Sequence, residues 1–182
     1  DIAGPYTNIS GLSNSPTFNI IASETLYYRV AITCGGNTQY STPVLLTVNP
    51  GLPGGTYTID PTQPASATNF INFNAAKDAM ACGITGPVVF NVEPGTGPYL
   101  EQLLLDSIPG TSNINTITFN GAGNIIRFSS SATAERAVIR LGGTDHTTFN
   151  NLTIDAVGTG TYGWGVWLLN GADSNAFNNC NI

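Results

Sequence analysis

The chain has 182 residues, a formal net charge of −6 at pH 7, and only 9% charged residues, against a norm of about 25%. Its five Lys and Arg residues form no run, which argues against nucleic-acid binding, because that function needs clustered cations to displace counterions. No apolar run approaches the roughly 20 residues of a membrane helix, so we expect no membrane span.

The first 50 residues predict part of a small β domain. Apolar and polar residues alternate from Leu26 to Thr33, which is typical of a half-buried strand; a Gly-rich turn follows at residues 34–37 and a second strand at 41–48. Residues 17–20 could form another short strand. The Tyr28-x-Val30-x-Ile32 motif resembles the penultimate strand of an immunoglobulin-like sandwich. The resemblance covers about half of such a domain, which needs about seven strands, and the alternative is a small β-hairpin decoration.

Residues 51–69 are rich in Pro and Gly and predict a linker with one short strand at 56–59. This composition places a domain boundary near residue 50. We assign residues 70–182 to a separate domain.

That domain begins with a predicted helix over residues 70–83. Asn72 is a candidate N-cap, and Gly83 suits the left-handed residue that follows a helix. The apolar face of the helix is formed by Phe73, Ala76 and Met80. We expect this helix to cover the first coil of the domain and to shield its open strand edge.

The segment from Val138 to Ile154 recurs from Val166 to Ile182 with a constant offset of 28 residues. A fixed period of this size indicates stacked supersecondary units. Short β-rich segments divided by Gly, Asn, Ser and Pro run from residue 88 onward, with no second helix. The predicted fold is therefore all-β: a right-handed parallel β-helix with one N-terminal capping helix, preceded by a partial immunoglobulin-like β-sandwich.

The Asn-Asn pairs of the repeat predict a structural ladder, in which equivalent residues stack one coil above the other. Asn tolerates left-handed backbone angles at a tight bend, and its amide can bond to the same amide in the next coil. We favour this role over sugar binding. The ladder residues are Asn150, Asn151, Asn178 and Asn179.

Gly-Pro-Tyr-Leu-Glu-Gln at 97–102, Ile-Pro-Gly-Thr-Ser at 108–112 and the Asn-Asn-x-x-Ile repeats resemble the pectate-lyase-like β-helix domains of large secreted bacterial proteins. The resemblance runs from about Gly55 to the end. It implies an extracellular or cell-surface location, export by type IX secretion, and a polysaccharide or another surface protein as partner. Such proteins act as adhesins or as carbohydrate-active enzymes.

Enzymes of that superfamily, the resemblance implies, use acidic calcium ligands with a basic residue, or clustered Asp with nearby His. Asp145 and Asp173 are equivalent positions one coil apart, as expected of a stacked turn residue. They could bind calcium, although two carboxylates fall short of its usual six to eight or so oxygen ligands. Asp155 and His146 could line a cleft, but solvated turn positions explain them as well. We predict no catalytic residues, no metal site and no cofactor.

The best candidates for ligand binding are Tyr162, Trp164 and Trp167, which lie within six positions on a Gly-rich insertion and include both tryptophans of the protein. Flat rings can stack on a sugar or anchor a partner. The alternative is that Trp167, which takes the place of Ile139 in the repeat, points inward and that Trp164 packs over a loop.

Two functions remain open. The first is a non-enzymatic structural or adhesive module that binds carbohydrate or a partner protein; the second is a polysaccharide lyase or glycoside hydrolase. The absence of a carboxylate cluster in the sequence favours the first. We also expect the last coil to be covered by further coils or by a partner chain, because an open strand edge invites aggregation.

Overall fold

The computed structural model describes residues 2–9, 22, 24–157 and 162–182. The chain forms two compact units, an N-terminal unit of residues 1–49 and a C-terminal unit of residues 50–182. The predicted strand at residues 17–20 lies outside the described part of the chain.

The described part of the N-terminal unit forms two separate antiparallel ladders. The strands are β1 Leu26–Tyr28, β2 Ala31–Cys34, β3 Asn37–Tyr40 and β4 Val44–Leu46. β1 pairs with β4, and β2 pairs with β3 across a turn in which Gly35 and Gly36 both have positive φ angles, 57° and 83°. Such angles are typical of a two-residue hairpin turn.

The prediction of one half-buried strand over residues 26–33 is wrong. The segment breaks between β1 and β2, and Val30 and Ile32 are 60% and 67% exposed. Alternation buries one face of a strand only where a second layer packs against it. Among the described residues of this unit, the two ladders do not supply that layer, so the structure does not show an immunoglobulin-like sandwich.

The C-terminal unit is a parallel β-solenoid of about four turns. Its strands are β5 Gly55–Ile59, β6 Asn69–Phe70, β7 Val88–Val92, β8 Tyr99–Leu100, β9 Leu103–Asp106, β10 Ile117–Asn120, β11 Ile125–Arg127, β12 Ala137–Gly142, β13 Thr147–Asn150, β14 Thr153–Asp155, β15 Trp164–Leu169 and β16 Ala176–Asn178. They lie in three parallel sheets, ordered β16-β13-β10-β7-β5-β6, β14-β11-β8 and β15-β12-β9.

Two continuous β-rich segments of the sequence are each divided by a corner. Residues 99–105 form β8 and β9, and residues 149–154 belong to β13 and β14. At the second corner Asn151 has a φ of 50°, and Asn179 has a φ of 52° one coil later. Asn accepts this left-handed conformation at low cost, so these two residues turn the chain from one sheet to the next.

The helix α1 spans Phe73–Ala79 and is shorter than the predicted segment. The predicted N-cap is confirmed, because the Asn72 side chain accepts a hydrogen bond of 2.7 Å from the Ala75 amide. The predicted face is also confirmed, since Phe73, Ala76 and Met80 are at most 1% exposed. The Phe73 ring packs edge-on against Tyr99 of β8 at 5.1 Å.

A carboxylate from the first complete coil holds the start of α1. Glu101 accepts hydrogen bonds from the backbone amides of Phe73 at 2.9 Å and Asn74 at 3.0 Å, which have no partner within the helix. A negative charge is also favourable at this end of the helix dipole. The helix is therefore fastened to the corner between β8 and β9, beside the edges of two sheets.

Two continuous stacks run along the solenoid. Inside, the rings of Phe90, Phe119, Phe149 and Phe177 lie face to face, with neighbouring centroids 4.9, 5.1 and 5.0 Å apart. Beside them, the amides of Asn91, Asn120, Asn150 and Asn178 form a ladder in which each Nδ2 donates to the Oδ1 of the preceding coil, at 2.8, 2.9 and 3.0 Å. Both stacks bind each coil to the next.

The offset between the last two coils changes along the repeat. Phe177 pairs with Phe149, as the offset of 28 requires, but Val166 pairs with Ile139 and Trp167 with Arg140. The gapless alignment, which placed Trp167 on Ile139, is therefore wrong by one residue in β15. The difference is absorbed in the corner between β15 and β16.

The layer formed by β15 and β16 exposes side chains whose equivalents are buried one coil earlier. Leu168 is 51% exposed, whereas its partner Leu141 is fully buried. Ile182 is 66% exposed, while Ile154 in the preceding coil is 3% exposed. This layer is an apolar surface of the C-terminal unit.

Candidate functional site

The predicted ligand-binding residues meet around an arginine. The guanidinium carbon of Arg136 lies 5.2 Å from the ring centroid of Tyr162, 4.7 Å from that of Trp164 and 5.3 Å from that of Trp167. The two indole rings are 5.5 Å apart and nearly perpendicular, at 82°. We call these four residues the arginine–aromatic cluster.

Neighbouring strands bring the cluster together. The Trp164 amide, at the start of β15, donates to the Arg136 carbonyl at 3.1 Å, immediately before β12. Tyr162 forms an isolated antiparallel bridge with Ser130. The cluster is thus built where the last two coils pair, beside the short 3₁₀ helix Thr133–Glu135.

Two hydrogen bonds that involve Thr133 orient the cluster. The Nε atom of Arg136 donates to the Thr133 carbonyl at 2.7 Å, and the Tyr162 hydroxyl lies 3.0 Å from the Thr133 hydroxyl. These bonds fix one edge of the guanidinium and the tip of the tyrosine ring. No described residue is hydrogen-bonded to the two terminal nitrogens of Arg136.

Trp167 does not point into the core. Its register partner is Arg140, which faces outward and bonds to Asp106, and a slip of one residue moves a side chain to the other face of a sheet. The expectation that Trp167 points inward in the place of Ile139 is therefore wrong. Trp164 is 42% exposed and packs against Arg136 and Trp167.

Arg136 was not predicted to be part of a site, although the three aromatic residues of the cluster were. An offset of 28 places this residue opposite Trp164 and gives no reason to expect contacts with Tyr162 and Trp167 as well. The structure places Trp164 opposite Ala137. Arg136, just outside β12, can then reach all three rings.

The charge environment of the cluster is unusual within the C-terminal unit. Three of its four basic residues have carboxylate partners: Lys77 pairs with Asp78, Arg127 with Asp155 and Arg140 with Asp106, at 3.1, 2.6 and 2.7 Å. Among the described residues, Arg136 has no carboxylate within ion-pair distance. Its positive charge is met by aromatic faces.

The acidic residues considered for catalysis have structural partners. The Asp145 carboxylate accepts a hydrogen bond of 2.7 Å from the Asp173 amide, which links equivalent turns of successive coils. The Asp155 carboxylate forms an ion pair with Arg127, in which Oδ2 lies 2.8 Å from Nε and 2.6 Å from Nη2. His146 turns the chain ahead of β13 with a φ of 55°.

His146 lies before β13 and Asp155 lies in β14, on the two sides of the corner at Asn151. Within the described ranges, no three His, Cys, Asp or Glu side chains are grouped closely enough to hold a metal ion. Nor does the described part of the chain contain a helix long and apolar enough to cross a bilayer.

No protein-family model matches the chain, and no curated protein or solved structure is significantly similar to it. Fold and site geometry define a parallel β-solenoid with a partly exposed arginine–aromatic cluster on its outer surface.

Proposed function

We propose that the chain is a non-enzymatic module of a large secreted or cell-surface bacterial protein, and that its arginine–aromatic cluster binds carbohydrate. The observation that carries the proposal is the grouping of Tyr162 and both tryptophans around Arg136, with Trp167 on the outward face of β15 and Trp164 42% exposed at its start. In this proposal the protein is exported by the type IX route, and the N-terminal unit is the end of an immunoglobulin-like domain.

Aromatic rings suit the apolar faces of sugars. A ring that is partly exposed yet held by neighbours offers a large contact area with little loss of side-chain entropy on binding. Trp164 meets this description, because it is 42% exposed and is held by Arg136 and Trp167. The perpendicular indoles present two differently oriented faces to a ligand.

A structural role for the rest of the coil supports the non-enzymatic half of the proposal. The Asp145 and Asp155 carboxylates are committed to a backbone amide and to an arginine. A general acid or base must instead reach the proton it transfers. The Phe and Asn stacks tie successive coils together, which suits a stiff spacer or adhesin.

The test is a glycan array probed with the whole chain and with the single variants Trp164→Ala and Trp167→Ala. Tyr40→Ala is the control, because Tyr40 is also an exposed ring in contact with an arginine, Arg29, but lies in the N-terminal unit. We expect each Trp variant to weaken binding at least about 10-fold and the control to bind like the unaltered protein. Circular dichroism checks that the variants fold.

Equal binding by the Trp variants and the unaltered chain would overturn the carbohydrate site. The non-enzymatic half is tested separately, by measuring cleavage of uronic-acid polymers with and without calcium. Turnover by the purified chain would replace the proposal with the lyase or hydrolase alternative.

A further inference from the structure

The edge of Arg136 that faces away from Thr133 has no hydrogen-bond partner among the described residues. The Nε atom is bonded to the Thr133 carbonyl, and the guanidinium carbon lies 4.7–5.3 Å from the centroids of three aromatic rings. The two terminal nitrogens can therefore donate to a ligand. An arginine held in this way is oriented for a planar or tetrahedral oxoanion, which its two terminal nitrogens can bind together.

We expect an anionic ligand because the other basic residues of the C-terminal unit are already paired with carboxylates. Arg140 lies beside Trp167 in the register, but the Asp106 carboxylate at 2.7 Å offsets its charge. Lys77 and Arg127 are likewise paired with carboxylates. Arg136 is therefore the basic residue of the C-terminal unit whose charge the described residues leave available.

We propose that the cluster selects an anionic glycan, with the sugar ring against the indoles and a carboxylate or sulfate group on the terminal nitrogens of Arg136. This proposal rests on the carbohydrate-binding function above and adds its charge selectivity. The net charge of −6 opposes approach of a polyanion, but this repulsion is screened beyond about 8 Å at physiological ionic strength. The local contact with Arg136 then decides binding.

The site carries its own optical reporter, because both tryptophans of the protein belong to the cluster. The experiment is a fluorescence titration of the whole chain with dextran, carboxymethyl-dextran and dextran sulfate, which share one sugar backbone and differ in charge. We expect at least one charged polymer to change the emission and to bind at least about 10-fold more tightly than dextran. The two charged polymers distinguish carboxylate from sulfate as the preferred group.

Arg136→Gln should abolish the preference for the charged polymer. Arg136→Lys should retain only part of it, because lysine keeps the charge but lacks the planar fork. Arg29→Gln is the matched control: Arg29 stacks on Tyr6 and Tyr40, each at 3.9 Å, in the N-terminal unit. This control should bind the charged polymer like the unaltered chain.

The inference is overturned if dextran binds as tightly as both charged polymers, if none of the three binds, or if Arg136→Gln keeps the preference. Array binding of neutral glycans that depends on Trp164 would leave the carbohydrate-binding function intact in each of these cases. An array without any binding would remove both proposals.

Discussion

Replacing Phe149 with Leu tests whether stacking between coils stabilises the solenoid. Phe149 is fully buried, and its ring lies nearly parallel to two others, at 6° to Phe119 and at 8° to Phe177. Each aromatic pair contributes about 0.5–1.5 kcal/mol beyond its buried area. Phe149→Leu breaks two pairs and keeps most of the volume, so it should cost about 1–3 kcal/mol.

The matched variant is Phe177→Leu, which makes the same change in the same column but breaks one pair. Its expected cost is about half as large, roughly 0.5–1.5 kcal/mol. Urea unfolding followed by tryptophan emission measures both variants, since Trp164 and Trp167 lie in β15, within the same unit. At an m value of about 2 kcal/mol/M, a loss of 2 kcal/mol lowers the midpoint by about 1 M. Equal midpoint shifts for the two variants would refute the stacking argument.

Three further predictions concern bonds between coils. Asn150→Ala removes two ladder bonds and should cost about 1–2 kcal/mol of stability, whereas Asn178→Ala removes one and should cost about 0.5–1 kcal/mol. Urea unfolding midpoints compare the two variants, and equal costs would contradict a stabilising role of the ladder. Glu101→Gln should cost about 1–2 kcal/mol, because the carboxylate accepts hydrogen bonds from the backbone amides of Phe73 and Asn74 and from the Asn74 side chain. A thermal midpoint equal to that of the unaltered chain would exclude this role. Burial raises the pKa of Tyr99 above 10.0, so its stabilising contribution is complete below about pH 10 and is lost as pH rises through the folded pKa. Urea unfolding from pH 9 to 11 should therefore show a smaller loss of stability for Tyr99→Phe than for the unaltered chain. Identical pH profiles of the two proteins would exclude this contribution of Tyr99.

Local sequence signals predicted the elements whose structure depends on residues that are close in sequence. Asn72 precedes an apolar face of helical spacing, and this was enough to place the N-cap and the buried side of α1. The parallel solenoid followed from the repeated segment, because residues that recur at a fixed interval experience the same surroundings in each coil. Corners were harder to predict: the tight bend at the Asn-Asn pairs was expected, but the continuous β-rich run 99–105 does not reveal the corner between β8 and β9.

Contacts between coils were predicted less well, because they depend on register. A gapless alignment of the last two coils maximises identity and places Val166 on Val138, yet Val166 pairs with Ile139. Corners of a solenoid accept an extra residue because they lie outside the hydrogen-bonded strand pairs. In the N-terminal unit, alternation at Val30 and Ile32 predicted burial that depends on a second layer of strands, and the described residues do not provide one.

The single-residue change of register has a direct consequence for the candidate site. Inward positions of successive coils must repeat, since each ring of the Phe stack contacts the one before it, whereas outward positions that lie outside the Asn ladder carry no such constraint. With an offset of 28, Trp167 would take the place of buried Ile139 and be lost to a ligand. The offset of 27 places it outward beside Arg140 and within 5.3 Å of Arg136. A binding surface can thus arise on a repetitive fold where one coil departs from the period and leaves the internal stacks intact.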